Sequence, residues 1–266
     1  IKTIIERAID EGIDVTCDRY PYIAAATDLD VILPNWVYEG GVTDQINRLK
    51  DTNTRQQITK EVSQSEDDVF WNTIMISSVY YDKNKWMEGK TITEISKELN
   101  KPPIETVFDL LIEEETRVDI FLFSMCEENL EKILGWDFVF VGSDSSMRAN
   151  QGILKEGKPH PRSYGTFSRI LGRFYREKKL LSLEKAIQKM TGLPAQKVGL
   201  NKRGLIKAGY FADITIFDPE KIIDRSTFTE PHQYSEGVEY VIVNGKIAVN
   251  NGKHTGITNG RILRKS

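Results

Sequence analysis

Hydrophobic positions change their period along the chain, and each change marks an element. Ile4, Ile5, Ala8 and Ile9 repeat at helical spacing, and Gly12 supplies a residue suited to ending a helix. Ile13, Val15 and Cys17 then alternate with Asp14, Thr16 and Asp18, a period of two that predicts a strand. It runs into Arg19-Tyr20-Pro21-Tyr22, where the proline lacks the N–H that a central ladder requires. From Pro103, suited to a first helical turn, Ile104, Val107, Leu110 and Leu111 predict a helix. A strand over Val118 to Ser124 and a helix over Glu127 to Leu134 follow. Phe138-Val139-Phe140-Val141 is apolar on both faces, as in a buried parallel strand, and ends at Gly142-Ser143-Asp144-Ser145-Ser146. Two further helices carry Phe167, Ile170, Leu171 and Phe174, then Leu183, Ala186, Ile187 and Met190 after a Ser182 N-cap.

Between about 28 and 101 the pattern is less regular. Leu33-Pro34-Asn35-Trp36 and Glu39-Gly40-Gly41 read as loop, 44–62 as one polar helix, and Thr91 with Glu94 as a capping box. The stretch is expected to be an insertion or lid. From about Gly204 the character becomes all-β: Ala212, Ile214 and Ile216 alternate with polar residues, and Asn244-Gly245 between two apolar runs predicts a tight hairpin. Strands alternating with helices predict an α/β parallel sheet or barrel, and three such strands, against the eight of a closed barrel, match its last part.

Composition narrows the function classes. Of 266 residues, 39% are hydrophobic and 28% charged, which fits a globular protein with a sizeable core. Lys and Arg number 36 against 39 Asp and Glu, a net charge of −3 that argues against a nucleic-acid or polybasic membrane surface. No apolar run has the length of a bilayer span. Cys17 and Cys126 are too few for a disulfide framework and form no CxxC pair, so a cytoplasmic setting is expected. The chain opens inside a helical pattern at Ile1, and a lost preceding segment is expected.

Candidate chemistry gathers after the buried strand. Asp144 sits just past its C-terminal end, where barrel enzymes collect catalytic groups; a turn or cap role explains an Asp there equally well. Arg162, in His160-Pro161-Arg162, suits two-pronged recognition of a carboxylate, although a solvated surface arginine is the commoner case. His160 has no HxH or HxxxH spacing around it, and His232 and His254 stand isolated in polar sequence. Tyr20 and Tyr22 follow the first strand and suit either hydrogen bonding to a substrate or packing.

These residues match a known pattern. Asp14-Val15-Thr16-Cys17-Asp18-Arg19-Tyr20-Pro21-Tyr22, Leu33-Pro34-Asn35-Trp36 with Glu39-Gly40-Gly41, Gly142-Ser143-Asp144, and His160-Pro161-Arg162-Ser163-Tyr164-Gly165-Thr166-Phe167 continuing to Met190-Thr191-Gly192-Leu193-Pro194-Ala195 resemble the D-aminoacylase family of the amidohydrolase superfamily. The tail from Gly209 to Gly245 is similar in a less specific way.

The resemblance implies hydrolysis of N-acyl-D-amino acids by a zinc-dependent barrel with a small β-sandwich. Residues 1–203 would be the C-terminal portion of a TIM-like (β/α)8 barrel with the insertion at about 28–101, and 204–266 a small β-sandwich segment. It further implies that Asp144 is the catalytic acid/base beside the metal and one of its ligands at most. Arg162 would hold the substrate α-carboxylate, and Tyr20 and Trp36 would line the pocket. Ile32, Leu33 and Trp36 suggest a neutral, largely apolar D-side chain. The remaining Zn2+ ligands would precede Ile1, so this chain alone is expected to be inactive and to hold no tight zinc. A homo-oligomer stays open. Two other readings compete: a cyclic-amide hydrolase of the dihydroorotase or imidase type, which lacks the Tyr-Pro-Tyr and His-Pro-Arg segments, and a non-catalytic fragment or paralogue acting as a binding module.

Overall fold

The structure, a computed structural model, describes residues 1–63 and 68–264. Helix α1 (Lys2–Asp10) ends in a Schellman turn: Gly12 takes φ +84°, its N–H donates to Ile9, and the Ile13 N–H reaches back to Ala8. Strand β1 (Cys17–Arg19) and β2 (Ala25–Asp28) follow, then α2 (Val42–Lys50), α3 (Thr52–Ser63), α4 (Asp68–Asn72), β3 (Ile74–Val79), α5 (Ile92–Leu99), α6 (Pro103–Glu113) and β4 (Val118–Leu122). Next come α7 (Glu127–Gly135), β5 (Val139–Val141) and α8 (Arg162–Arg169), which continues as a wider π-type helix over Ile170–Glu177. The chain closes with α9 (Leu183–Met190), α10 (Gly192–Lys197), β6 (Ile214–Phe217), β7 (Val238–Val243), β8 (Lys246–Asn250) and β9 (Lys253–His254).

Among the described residues the strands form three sheets. The mixture of helices with parallel and antiparallel strands makes the protein α/β. β1 and β5 pair in parallel, Cys17 opposite Val139 and Arg19 opposite Val141. The first strand is shorter than the alternation from Ile13 predicted, since ladder pairing starts at Cys17. The strand read over Val118 to Ser124 exists as β4, but it is not a further parallel strand. It is the centre of an antiparallel sheet ordered β2-β4-β3. A short apolar run does not reveal the direction of its neighbours; β3 comes from the stretch that looked irregular, and β2 from the residues just before it, where no strand was read. β3 was hidden by a bulge: its register shifts between Ile76 and Ser78, so Ile76 and Ser77 are both buried and the period of two fails.

The helix expected over 44–62 is two helices. Asp51 adopts an extended conformation, and its carboxylate accepts the backbone N–H and the hydroxyl of Thr54, starting α3 afresh. The capping box forms, with the Thr91 hydroxyl and Glu94 each accepting the other's backbone N–H. Ser182 caps α9. The tail is a four-stranded antiparallel sheet ordered β6-β7-β8-β9, and its β7–β8 hairpin turns at Asn244 and Gly245, both at positive φ.

Two apolar cores serve these units. Leu29, Leu49, Ile58, Ile76, Ile95, Phe108 and Ile120 fill the antiparallel sheet and its helices. Leu130, Leu134, Val141, Ile170, Phe174, Ala186 and Ile222 pack α7, β5, α8, its continuation and α9 together. By contrast α1 buries no residue, and its Ile4 is 63% exposed. Among the described residues no helix is long and apolar enough to cross a membrane.

The tail segment around Ile222 lies directly on the π-type helix, which glycine permits. A Cβ on Gly172 would stand 2.7 Å from the Ile222 carbonyl oxygen and 3.2 Å from the Ile223 Cα. At an open helical site Gly→Ala gains roughly 1 kcal/mol. Here backbone opposes the methyl, so Gly172→Ala is expected to destabilise by about 1–3 kcal/mol. Gly135→Ala, whose Cβ meets nothing within 4 Å, should not. Chemical denaturation of the two variants checks the contrast.

Candidate active site

The parallel pair sets the position of the site. β5 ends at Gly142, whose missing side chain leaves room for Asp18; a Cβ there would lie 3.0 Å from the Asp18 carboxylate. The chain then turns through Asp144, held at φ +46°, a conformation that Asp tolerates better than most residues. Ser145 donates to the Ser163 hydroxyl at 2.6 Å, tying this turn to the first turn of α8. The Asp144 carboxylate thereby faces Arg162, with Nη1 and Oδ2 3.1 Å apart. The two partners differ sharply in exposure: the Arg162 side chain is 11% exposed and that of Asp144 70%.

Tyr20, at the end of β1, completes the grouping. Its ring centroid lies 4.6 Å from the Arg162 guanidinium carbon and 4.4 Å from that of Arg19, close enough for cation–π attraction. Tyr22 is buried instead. Its hydroxyl donates to Asp224 at 3.3 Å, and Arg169 pairs with the same carboxylate at 2.9 Å. Burial, then the Asp224 charge, push the Tyr22 phenol far up, so it stays protonated and donates.

A cavity of about 280 Å³ opens beside this group. Its lining includes Asp144, Ser145, Arg148, His160, Arg162 and Ser163 from the segment between β5 and α8 and the start of α8, and Thr27, Asp28, Ser77 and Asp119 from β2, β3 and β4. The far wall thus comes from the antiparallel sheet, where Asp28 and Asp119 are directly paired across β2 and β4. Burial, then the Asp28 charge, raise the Asp119 pKa, as expected for like charges opposed on neighbouring strands. Nothing in the sequence signalled this pair, because it depends on a register between segments far apart. The Nε of Arg148 is buried without a hydrogen-bond partner, although its charge acts on Asp119.

Asp144, Arg162 and Tyr20 are therefore brought together, and Trp36 is not. Its indole N–H donates to Glu61 at 3.0 Å, and its ring packs with Ile32 against the core of the antiparallel unit, where Leu33 is buried. The cavity walls are mainly polar, with Ala26, Phe121 and Pro159 as their apolar part, and Ile32, Leu33 and Trp36 do not line them.

His160 is buried among the rings of Tyr20, Tyr22, Phe121 and Phe228. Its Nε2 pairs with the Ala24 carbonyl at 3.1 Å, and its Nδ1 accepts the Arg162 N–H at 3.0 Å. Both nitrogens are committed, which leaves none for a metal. His232 bridges Tyr164 and the Gly157 carbonyl. Among the described residues no three His, Cys, Asp or Glu side chains gather as a metal site. Zinc usually takes three or four protein ligands, so the described residues do not by themselves fit a zinc centre.

Residues 137–249, which include this Asp144–Arg162 pair, match the Amidohydrolase family. The D-aminoacylase of Alcaligenes xylosoxydans xylosoxydans is 36% identical over 180 residues, covering 68% of this chain and 35% of that protein. The N-acyl-D-glutamate deacylase of the same organism is 31% identical over 261 residues, covering 98% and 43%. A solved D-aminoacylase with a binuclear metal center superposes with a TM-score of 0.72 at 30% identity, covering 98% of this chain and 45% of that one. The chain belongs to the D-aminoacylase, or N-acyl-D-amino-acid deacylase, family of the amidohydrolase superfamily. It spans less than half the length of these relatives.

The surroundings of His160 make stability depend on pH. Burial first, then the Arg162 charge, lower its pKa from 6.5 to about 3. The unfolded chain therefore takes up a proton near 6.5 that the folded chain refuses until about 3, and this contribution to stability is lost as pH falls through that window. His160→Asn should flatten the fall. Between about pH 8 and about pH 5 the variant should lose up to ~2 kcal/mol less than the parent, as read from denaturation midpoints.

Proposed function

We propose that this chain supplies the acid/base and carboxylate-binding part of an enzyme that hydrolyses the amide of N-acyl-D-amino acids. The Asp144–Arg162 pair carries this reading. A largely buried guanidinium holds a carboxylate that faces solvent, so an incoming anion can take Arg162 while Asp144 turns to the reacting atoms. Arg162 would grip the substrate α-carboxylate, and Tyr20, stacked on its guanidinium, would keep that grip in one orientation. Asp144 would accept the proton of the attacking water and return it to the amide nitrogen. The C–N bond then breaks with an amine rather than an amide anion departing.

Several finer features belong to the same proposal. Residues 1–203, insertion included, form the later part of a TIM-like barrel, and 204–266 part of a β-sandwich; the parallel β1–β5 pair and the exposed apolar face of α1 support a larger sheet. Zinc is held chiefly by residues outside this chain, with Asp144 as one ligand at most, and the 266 residues alone are then inactive. A cytoplasmic setting agrees with the two free cysteines. The relatives that match the chain are a D-aminoacylase and an N-acyl-D-glutamate deacylase, which sets the cyclic-amide reading behind.

Two experiments on the enzyme with its complete site test these roles. Asp144→Asn is expected to lower kcat by about 10²–10⁴-fold, the usual contribution of acid–base help, with folding intact; retention of a tenth of the activity would remove Asp144 from that role. Arg162→Met should lower kcat/KM for N-acetyl-D-amino acids by roughly 10–150-fold, the worth of one charge-assisted hydrogen bond. It should barely change the corresponding carboxamides. An equal loss on both substrates would count against a carboxylate grip.

A further inference from the structure

We propose that His160 is a positioning residue for Arg162, fixing the first turn of α8 and thereby the preference for substrates that carry a carboxylate. The proposal rests on the reading of Arg162 given above. Its starting point is the accounting of hydrogen bonds at the start of the helix. The first N–H groups of a helix lack partners within it, and the N-cap residue of α8, Pro161, offers no side-chain acceptor. The Arg162 N–H goes instead to the His160 Nδ1 at 3.0 Å.

That bond determines the tautomer. Nδ1 must be unprotonated to accept it, so Nε2 carries the hydrogen and donates to the Ala24 carbonyl. The imidazole thus spans from the loop after β1 to the backbone of the residue whose guanidinium faces Asp144. Edge-on rings hold it on several sides, Phe228 at 4.9 Å, Tyr22 at 5.2 Å, Phe121 at 5.4 Å and Tyr20 at 5.8 Å. Tyr20 also lies against the guanidinium, so one arrangement holds Arg162 at both its backbone and its head group. A misplacement of about 1 Å in such a grip can cost on the order of 10²-fold in rate.

Two amide variants separate positioning from packing. His160→Asn retains an acceptor where Nδ1 stood, as in an Asx-turn to the N–H two residues on, but does not reach Ala24. His160→Gln reaches toward Ala24 and gives up that acceptor. The readout is the ratio of kcat/KM for an N-acetyl-D-amino acid to that for its carboxamide, measured on the complete enzyme, with thermal midpoints alongside. His160→Gln should lower the ratio about tenfold, chiefly through KM, and His160→Asn should stay near the parent. Equal effects of the two, or a larger loss in His160→Asn, would overturn the proposal.

The wild-type protein provides a test that needs no variant. Imidazole ¹⁵N shifts should report an Nε2–H tautomer, and the Arg162 amide should exchange slowly; an Nδ1–H tautomer would rule the proposal out. If Arg162→Met leaves the ratio unchanged, the carboxylate reading falls and the proposal with it. If Arg162→Met lowers the ratio and His160→Gln does not, positioning by His160 alone falls.

Discussion

A buried imidazole must have both nitrogens satisfied, and at His160 the partners come from segments far apart in the chain. Leaving one buried polar group without a partner costs roughly 1–3 kcal/mol. The Ala24 carbonyl and the Arg162 N–H therefore have to arrive together, and rings from Tyr20, Phe121 and Phe228 close the space around them. Those rings belong to the end of β1, the centre of the antiparallel sheet and the segment before β7. The cavity acquires its two walls through this contact: the Asp144 side from the parallel pair, the Asp119 side from the antiparallel sheet.

The sequence made local features legible and hid those that depend on partners. Thr91 with Glu94, Ser182, and Asn244-Gly245 act within a few residues, and each forms the cap or turn that its chemistry predicts. Asp51 is the local exception: Asp fits inside a polar helix pattern as readily as it caps one, and here it divides the helix. Strand direction was not legible, since Ile120 and Phe121 are both buried in β4 whichever way its neighbours run. At the site, the turn carrying Asp144 could be singled out because it follows a buried strand, and Arg162 as a fork suited to a carboxylate, although its place at the start of α8 was not foreseen. The different surroundings of Tyr20 and Tyr22, the role of His160 and the Asp28–Asp119 pair could not. Each is defined by contacts across more than a hundred residues or by the register of a hidden strand.

Trp36 does not line the cavity beside Asp144. The family resemblance alone places it at the pocket. Its indole instead finds a carboxylate on α3, Glu61, within its own unit. Such a bond satisfies the N–H locally and leaves the ring to pack on the nearby core.

The two arginine–aspartate pairs on α8 show how exposure divides structure from chemistry. Arg169 and Asp224 are both largely out of solvent, the carboxylate only 7% exposed, and Asp224 also receives the Tyr22 hydroxyl. Removing either partner would strand a buried charge, which typically costs about 3–5 kcal/mol, so this pair is committed to holding the tail against α8. Arg162 has the same charge seven residues earlier, but its carboxylate is mostly in water. Water can replace Arg162 around Asp144 at little cost, because exposed pairs are worth only about 0–1 kcal/mol. The guanidinium, sheltered and stacked on Tyr20, cannot regain its hydration as easily. An anionic ligand that displaces Asp144 therefore gives Arg162 a replacement partner while releasing a carboxylate that loses almost nothing. That asymmetry makes the outer pair exchangeable and the inner one fixed.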